Sequence, residues 1–296
     1  MLLAVTLSVV IITYNEETNL GKTLASVMPL VCEGKGEIIV VDSGSTDRTV
    51  EIAKASGAKV FVEEWKGFAA QKNSAIDKAT GDWILSLDAD EEVDQDLQHA
   101  LGDTTNGLER VAALGQAKNA HPLTVEDAKS DVKYHIGPEL NDELSGLWIS
   151  RKNEFLGRWI KHGGFYPDPK LRFFRRGRGR FESRAVHEDV QINGKTGRIQ
   201  YGALIHHSYP TLSDYIEHMN RYSSLGAEMV VADGGGRVRF GAVNILLRPL
   251  ATFVYNYFFR LGLLDGREGL LLHLYHAVYV SWKYAKAWEL SRRQTS

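Results

Sequence analysis

EIIVVDSGSTDRTVEIA, residues 37–53, decides the fold. Ile38-Ile39-Val40-Val41 is an unbroken β-branched run, which reads as a short buried strand. It ends in the polar cluster Asp42 to Asp47, where Gly44 allows a tight turn and Ser45 or Asp47 can cap the next helix. From Asp47 to Ala55 the apolar residues fall at helical spacing. Outward from this strand–turn–helix the pattern repeats. Before it, Leu7 to Ile12 reads as a strand and Asn19 to Met28 as an amphipathic helix. After it come a strand at Val60 to Val62, a helix at Ala69 to Lys78 and a strand at Trp83 to Leu87. Strands alternating with helices of about ten residues imply βαβ units and a mostly parallel sheet, an α/β fold. Such sheets bind ligands beyond the carboxyl ends of their strands. The polar clusters Thr13–Glu16, Asp42–Asp47 and Asp88–Asp90 fall at those ends.

The pattern breaks between about Gly102 and Asp142, where Gly, Asn, Asp and Lys are scattered; this reads as an irregular insertion. Short runs return at Leu147–Ser150, Phe155–Ile160, Leu171–Phe174 and Ala203–His206, as strands extending the sheet. Thr211 to Val231 reads as a helix opened by a Thr211/Asp214 capping box. The expected division is a catalytic domain over residues 1–210 and a C-terminal helical region over 211–296. Within the latter, Pro249–Phe259 and Gly269–Trp282 carry no formal charge and are rich in aromatics. Both are shorter than the ~20 apolar residues of a membrane span. Two readings stay open: a helical hairpin packed on the catalytic domain, or interfacial helices resting on a membrane. The apolar start, Met1 to Ile12, lacks a basic region and a cleavage site, so it reads as a first strand rather than a signal peptide.

Composition sets further limits. With 296 residues the chain can bury a core without crosslinks. A formal net charge of -2 argues against a general nucleic-acid binder. The single cysteine, Cys32, rules out an intramolecular disulfide; it reads as a buried small hydrophobe in a reducing compartment.

The chemistry concentrates in three places. Asp88-Ala89-Asp90 follows a buried strand, and two carboxylates two apart can reach one hard cation, Mg²⁺ or Mn²⁺, that would hold a diphosphate. Glu91 and Glu92 come next and read as acidic residues starting a helix. Asp42, at its strand end, can accept hydrogen bonds from a base or ribose. Thr13-Tyr14-Asn15-Glu16 can wall a nucleotide pocket.

Taken together, LSVVIITYNEETNL (7–20), EIIVVDSGSTDRTVEIA (37–53) and GFAAQKNSAIDKATGDWILSLDADE (67–91) closely resemble the nucleotide-sugar domain of glycosyltransferase family 2. The resemblance implies a GT-A fold, inversion at the anomeric carbon and a UDP-sugar donor. It puts Thr13, Tyr14 and Glu16 in the nucleotide pocket, Asp42 at the uracil or ribose, and Asp88 and Asp90 at the metal and donor. Lys72 and Asn73 fall where the family often has donor-side residues, although a solvated helix face explains them equally. GGFYPDPKLRFFRRGRGRFESRAVHEDV (163–190) and LIHHSYPTLSDYIEHMNRYS (204–223) are similar to the lipopolysaccharide-core glucosyltransferase-like branch. That branch draws its base from a His-Glu element, here His187-Glu188. An inverting transfer needs a base to take the acceptor proton, so Glu188 is the expected base, with Asp189 in reserve. His206 can complete the metal shell, with His207 as competitor. In the run Arg172, Arg175, Arg176, Arg178, Arg180, the first two are candidates to clamp the donor diphosphate or an anionic acceptor; Arg178 and Arg180 read as a solvated edge.

Two departures matter: the Gln-x-x-Arg-Trp element of polymerising members is absent, which implies single-sugar transfer, and the irregular stretch from about Gly102 to Asp142 is longer than the branch leads one to expect. The expected acceptor is a lipopolysaccharide-core or other lipid-linked glycan at the cytoplasmic face of a bacterial membrane, contacted peripherally. Two enzyme rivals are weaker. A sugar nucleotidyltransferase would need a Gly-rich phosphate loop after the first strand, and Thr13 to Asn19 contains no Gly. A nicotinamide-dependent enzyme would need Gly-x-Gly-x-x-Gly there; Gly234-Gly235-Gly236 follows a helix and reads as a joint. A non-enzymatic nucleotide-sugar binder would have no use for the acidic pair and Glu188.

Overall fold

The computed structural model describes residues 6–102, 144–182, 189–233 and 241–294. The expected insertion, the joint at Gly234–Gly236 and the His187-Glu188 pair lie outside the described residues, apart from Gly102 at the insertion's edge. Two compact units are formed: Met1–Arg151 with Pro169–Arg184 and Glu188–His206, and Lys152–Asp168 with Ala185–His187 and His207–Ser296.

The first unit is an α/β layer structure, as the sequence implies. Strands β1 (Leu7–Thr13), β2 (Gly36–Asp42), β3 (Lys59–Val62) and β4 (Trp83–Asp88) lie in the order β3-β2-β1-β4, all parallel. Every residue of β1 is buried, which is what a strand covered on both faces requires. The side-chain period of two sorts the core: Val9, Ile11, Ile38, Val40 and Leu85 join one cluster, and Val10, Ile12, Ile39, Val41 and Ile84 the other. Helix α1 (Leu20–Val31) buries Leu20, Thr23, Leu24, Val27, Leu30 and Val31, one stripe at helical spacing. α2 (Thr49–Ala55) and α3 (Phe68–Asp77) complete the crossovers, and a further helix, α4, runs over 95–102.

Beyond β4 the sheet turns antiparallel. β8 (Lys170–Arg175) pairs with β4 and with β6 (Leu144–Phe155), and β11 (Lys195–Tyr209) pairs with the short β5 (Glu91–Val93). β9 (Gly179–Phe181) and β10 (Val190–Ile192) form a separate ribbon. Gly202 in β11 has φ +80°, and a Cβ there would come within 2.2 Å of the Leu97 amide nitrogen; only glycine lets α4 approach this strand.

In the second unit, Phe155, Ile160, Tyr215 and Leu272 form the core. α5 (Leu212–Asp233) opens with the expected capping box: Asp214 accepts the Thr211 amide at 3.1 Å and its own amide donates to Thr211 Oγ1 at 3.2 Å. α5 packs on α7 (Gly266–Gln294), pinned by Lys286 Nζ, which donates to Asn220 and to Ser223 and Ser224. α6 (Arg248–Val254) is flanked by wider i,i+5 turns over Val243–Leu247 and Tyr255–Phe259. Among the described residues, no helix is long and apolar enough to cross a membrane.

Three expectations are corrected. Phe155–Ile160 is a hairpin rather than one strand: Leu156 and Gly157 turn at φ 52° and 75°, and β7 (Arg158–Trp159) folds back on the end of β6. Cys32 is exposed, because it follows α1 off the buried stripe; its thiol lies 3.5 Å from the Pro29 carbonyl. Glu91 and Glu92 start no helix but form β5.

The second unit also predicts a pH response. His273 of α7 is 1% exposed, wedged against Gly163 and Gly262, with neither ring nitrogen hydrogen-bonded. Burial, then His276, lower its pKa from 6.5 to about 4, against an upward pull from Asp265 that exceeds the small lowering by Arg260. The native state therefore prefers the neutral ring. This stability is present above pH 6.5 and is lost as pH falls from there through about 4, a loss of about 3 kcal/mol. Denaturant unfolding at pH 7 and pH 4 should show it, and His273→Gln should flatten the difference. An unchanged slope in that variant would assign the acid sensitivity elsewhere.

Candidate active site

The parallel strands deliver their polar ends to one edge of the first unit. Thr13 and Asp42 pair in register at the ends of β1 and β2. Asp42 is fully buried. One carboxylate oxygen accepts the Gly44 and Ser45 amides at 2.9 and 2.8 Å, and the other accepts the hydroxyls of Thr13 (2.9 Å) and Ser45. Gly44 meets this turn with φ +87°. Asp42 is thus the knot of the loop rather than an open ligand. The loop after β1 is laced to it: Asn15 accepts the Thr46 amide at 2.9 Å, Glu16 donates its amide to Thr49 Oγ1 at 2.7 Å, and Glu17 its amide to Asp47 at 3.1 Å. Asp47 also accepts the Thr49 amide at the start of α2, and these donors hold its carboxyl below the usual range despite some desolvation. Ser43 Oγ, in the same turn, is buried without a hydrogen-bond partner. Tyr14 is exposed.

At the end of β4 the two aspartates part company. Asp88 is held by two cations: Lys72 Nζ at 2.7 Å on one oxygen and Arg172 Nη2 at 2.6 Å on the other. Burial pushes the Asp88 carboxyl up, but Arg172, Lys72 and His206 together hold it well below the usual carboxylate range. Lys72 and Arg172 are themselves buried, 5% and 6% exposed. Asp90 instead lies beside His206, with Nε2 3.3 Å from its carboxylate. The β11–β5 register explains this, since His206 stands opposite Glu91, next to Asp90.

Beneath them is a residue the sequence reading misassigned. Glu91 is 0% exposed and accepts the Asp88 amide at 3.0 Å, Arg151 at 3.1 Å and Arg172 at 3.2 Å. It and Arg172 lock the Asp88 turn to β6 and β8. No local signal marks Glu91, because its partners lie 60 and 81 residues along the chain. Gln71 was missed as well. It is fully buried beside Lys72, and neither amide atom has a hydrogen-bond partner.

Glu16 faces the same acidic edge. Burial raises its pKa, Asn19 opposes this by donating at 3.0 Å, and the charges of Asp90, Asp47 and Asp88 raise it further. Cations already answer Asp88, so the surplus negative charge rests around Asp90 and Glu16. That electrostatic demand and the carboxylate–imidazole set of Asp90 and His206 fit Mn²⁺ or Mg²⁺. Among the described residues, no three His, Cys, Asp or Glu side chains are grouped to hold a metal. Water and diphosphate oxygens would have to supply the remaining ligands.

The other expected site residues, where described, have contacts of their own. Asn73 uses its side-chain amide on the Phe181 backbone, donating at 2.9 Å and accepting at 3.0 Å, so it stitches α3 to β9. Arg175 stands opposite Trp83 at the start of β4, about 16 Å along the strand from Asp88. There its Nε donates to the Leu144 carbonyl and the guanidinium lies 5.3 Å from the Trp83 ring centroid. Arg180 pairs at the surface with Asp77. His207 belongs to the second unit, where Nδ1 lies 2.6 Å from Glu154. Asp189 is exposed, preceding β10. Glu188 lies outside the described residues.

Comparison with known proteins meets this geometry. The sequence model of glycosyl transferase family 2 matches residues 8–178, the span that carries Thr13, Asp42, Lys72, Asp88, Asp90 and Arg172. The lipopolysaccharide core biosynthesis glycosyltransferase LpsC of Rhizobium meliloti is 30% identical over 293 residues, covering 96% of this chain and 92% of that protein. An uncharacterized glycosyltransferase of Rickettsia typhi, RT0209, is 27% identical over 96% of this chain and 87% of its own length. Among solved structures, glucosyl-3-phosphoglycerate synthase of Mycobacterium tuberculosis, in complex with Mg²⁺ and UDP, is 34% identical over 29% of this chain and 34% of that one, with a TM-score of 0.27. The strand-end motifs, the parallel sheet that aligns them and the family match agree: this chain belongs to glycosyltransferase family 2.

Proposed function

We propose that the enzyme transfers a single sugar, with inversion, from a UDP-sugar to a hydroxyl of a lipid-linked glycan of the lipopolysaccharide-core type. The observation that carries this reading is the division of labour at the end of β4. Asp88 is neutralised by Lys72 and Arg172, while Asp90 and His206 are paired beside Glu16 with charge to spare. Similarity to the core biosynthesis glycosyltransferase over nearly the whole chain supports the acceptor class. The missing Gln-x-x-Arg-Trp element supports single transfer.

In this reading Asp90 and His206 hold a divalent ion that, when bound, neutralises charge on the leaving diphosphate. Lys72 and Arg172 fix Asp88 and bring positive charge to the same edge. The Asp42 knot shapes the turn that receives the nucleoside, with Thr13 and the Ser43 hydroxyl at its wall. Glu188 takes the acceptor proton as the hydroxyl attacks the anomeric carbon opposite the diphosphate. Asp189 is the reserve base. The acceptor is met at the cytoplasmic face of the membrane, which the enzyme contacts peripherally.

Thermal unfolding with UDP, GDP, CMP and TDP, each with and without Mn²⁺, tests the donor site. A ligand at a hundred times its dissociation constant stabilises the native state by about 2.7 kcal/mol. The expected result is a Mn²⁺-dependent rise with UDP alone, retained in Glu188→Gln while that variant loses most turnover. A rise with another nucleotide would change the donor. No rise with any of them would remove the donor site, and full turnover in Glu188→Gln would move the base.

A further inference from the structure

Among the described residues of the second unit, one helical face is left exposed. From 242 to 259 the chain is continuously helical. Val243, Leu247, Leu250, Tyr255, Phe258 and Phe259 recur along it every one to five residues and are all more than half exposed, Phe259 at 75%. At helical spacing they fan over about half of the circumference. The other side is tied to α7: Pro249 is buried and Ser281 Oγ donates to the Ile245 carbonyl at 2.9 Å, while the exposed Arg248, at the edge between the two sides, donates to the Tyr284 hydroxyl. The apolar side is therefore held outward by packing behind it. It continues past the helix end through Leu263 and Leu264, 41% and 53% exposed, to Leu270 and Leu274 on the first turns of α7. So many large apolar side chains, each at least 41% exposed, are grouped here rather than scattered singly as on an ordinary monomer surface.

The charges on this face are mostly positive: Arg267 is exposed, and Glu268, between Leu264 and Leu270, is paired with Arg158 at 3.3 Å. From Val243 to Leu264 the charged residues are Arg248 and Arg260, both exposed. The next one, Asp265, is 2% exposed and engaged by His162 and the Lys161 amide. No exposed carboxylate stands on the segment to answer the arginines. A symmetric contact with a second copy would bring the same apolar stripe and the same cations together, leaving the charges unpaired. A lipid surface with anionic headgroups answers both features: acyl chains for the stripe and phosphates for the guanidinium groups.

We propose that the face formed by residues 243–264, with Leu270 and Leu274, is a docking surface for an anionic lipid bilayer. The helix lies in the interface plane, its Leu and Phe side chains below the headgroups and Arg248 and Arg260 level with the phosphates. This rests on the reading of a lipid-linked acceptor and gives the peripheral contact an address and a lipid class.

The test is flotation of the full chain with vesicles of phosphatidylcholine alone and with one third phosphatidylglycerol, at constant salt. The expected result is binding about tenfold or more tighter to the anionic vesicles. Leu250→Ser/Phe259→Ser should weaken that binding about tenfold or more, and Arg248→Gln/Arg260→Gln should remove most of the anionic preference. Both variants should keep the wild-type circular dichroism and the UDP–Mn²⁺ thermal shift, which separates docking from folding and from the donor site. A protein that binds vesicles but shows no nucleotide shift would fail the donor reading and leave this one standing. Three results would overturn it: no vesicle binding, equal binding to both lipids, or unchanged binding by the Leu250/Phe259 variant. A concentration-dependent dimer abolished by that variant, with no flotation, would assign the face to a second copy instead.

Discussion

Asp90→Ala should lower donor turnover by about a thousandfold and abolish the Mn²⁺-dependent part of the UDP thermal shift, while unfolding without ligand changes little. The magnitude is that of removing one group that opposes charge as it develops in the transition state. Asp90 is singled out because its neighbour is already engaged. Both Asp88 oxygens carry ion pairs, to Lys72 and Arg172, whereas Asp90 stands 3.3 Å from His206 and its side chain is 26% exposed. Truncating Asp90 leaves no buried cation unpaired. The comparison with Asp88→Ala is therefore informative. That variant should lose activity and stability together, because Lys72 and Arg172 would each lose a partner in a buried setting. Steady-state turnover with a UDP-sugar, alongside unfolding with and without Mn²⁺ and UDP, separates the two. An Asp90→Ala enzyme of normal activity would remove the metal from this pair of residues.

Glu91→Ala should destabilise the first unit by about 3–5 kcal/mol, the cost of breaking a buried ion pair from one side. Glu91 is fully buried and accepts from Arg151, Arg172 and the Asp88 amide. Without it Arg151 loses this carboxylate, Arg172 keeps Asp88 alone, and a backbone amide loses its acceptor. The melting temperature should fall on the order of 10 °C. The same residue fixes the turn that presents Asp88 and Asp90, so donor affinity should fall as well. Glu91→Gln, which keeps the shape and one acceptor oxygen, should recover part of the stability. A melt within 2–3 °C of wild type for Glu91→Ala, on a scale of roughly 2–4 °C per kcal/mol, would mean that the two arginines are solvated and the hub is not a hub.

The two arginines of β8 show where the sequence could be read and where it was not. Arg172 and Arg175 sit three apart in KLRFFR, and in a strand an odd separation sends side chains to opposite faces. Period two could have rejected their joint assignment to one phosphate site. It could not have said which of them faces Asp88, because that depends on the antiparallel register with β4. His206 and His207 pose the same problem on β11. Adjacent residues must diverge, and pairing with β5 sends His206 to Asp90, while His207 meets Glu154. Asn73 illustrates a different limit. A polar residue on a helix is equally consistent with a ligand and with a clamp on a distant backbone, here that of Phe181.

The order of residues made local features readable. β1, β2 and β4 are written as continuous apolar runs, the helices between them as stripes at helical spacing, and the Thr211/Asp214 cap as two residues three apart. A parallel sheet then obliges Thr13, Asp42 and Asp88 to meet at one edge, because parallel strands all end on the same side. That is why the family signature was legible in one sequence. Charge pairing over long separations was not. Asp88 was answered by Lys72 and Arg172, Glu91 was buried under Arg151 and Arg172, and Asp90 was left with His206. A carboxylate's role depends on which cations and donors surround it, and those come from a neighbouring helix and from strands written up to a hundred residues or more away. Folding, not composition, divides Asp88, Asp90 and Glu91 into one neutralised by cations, one set beside a histidine and one buried as a strut.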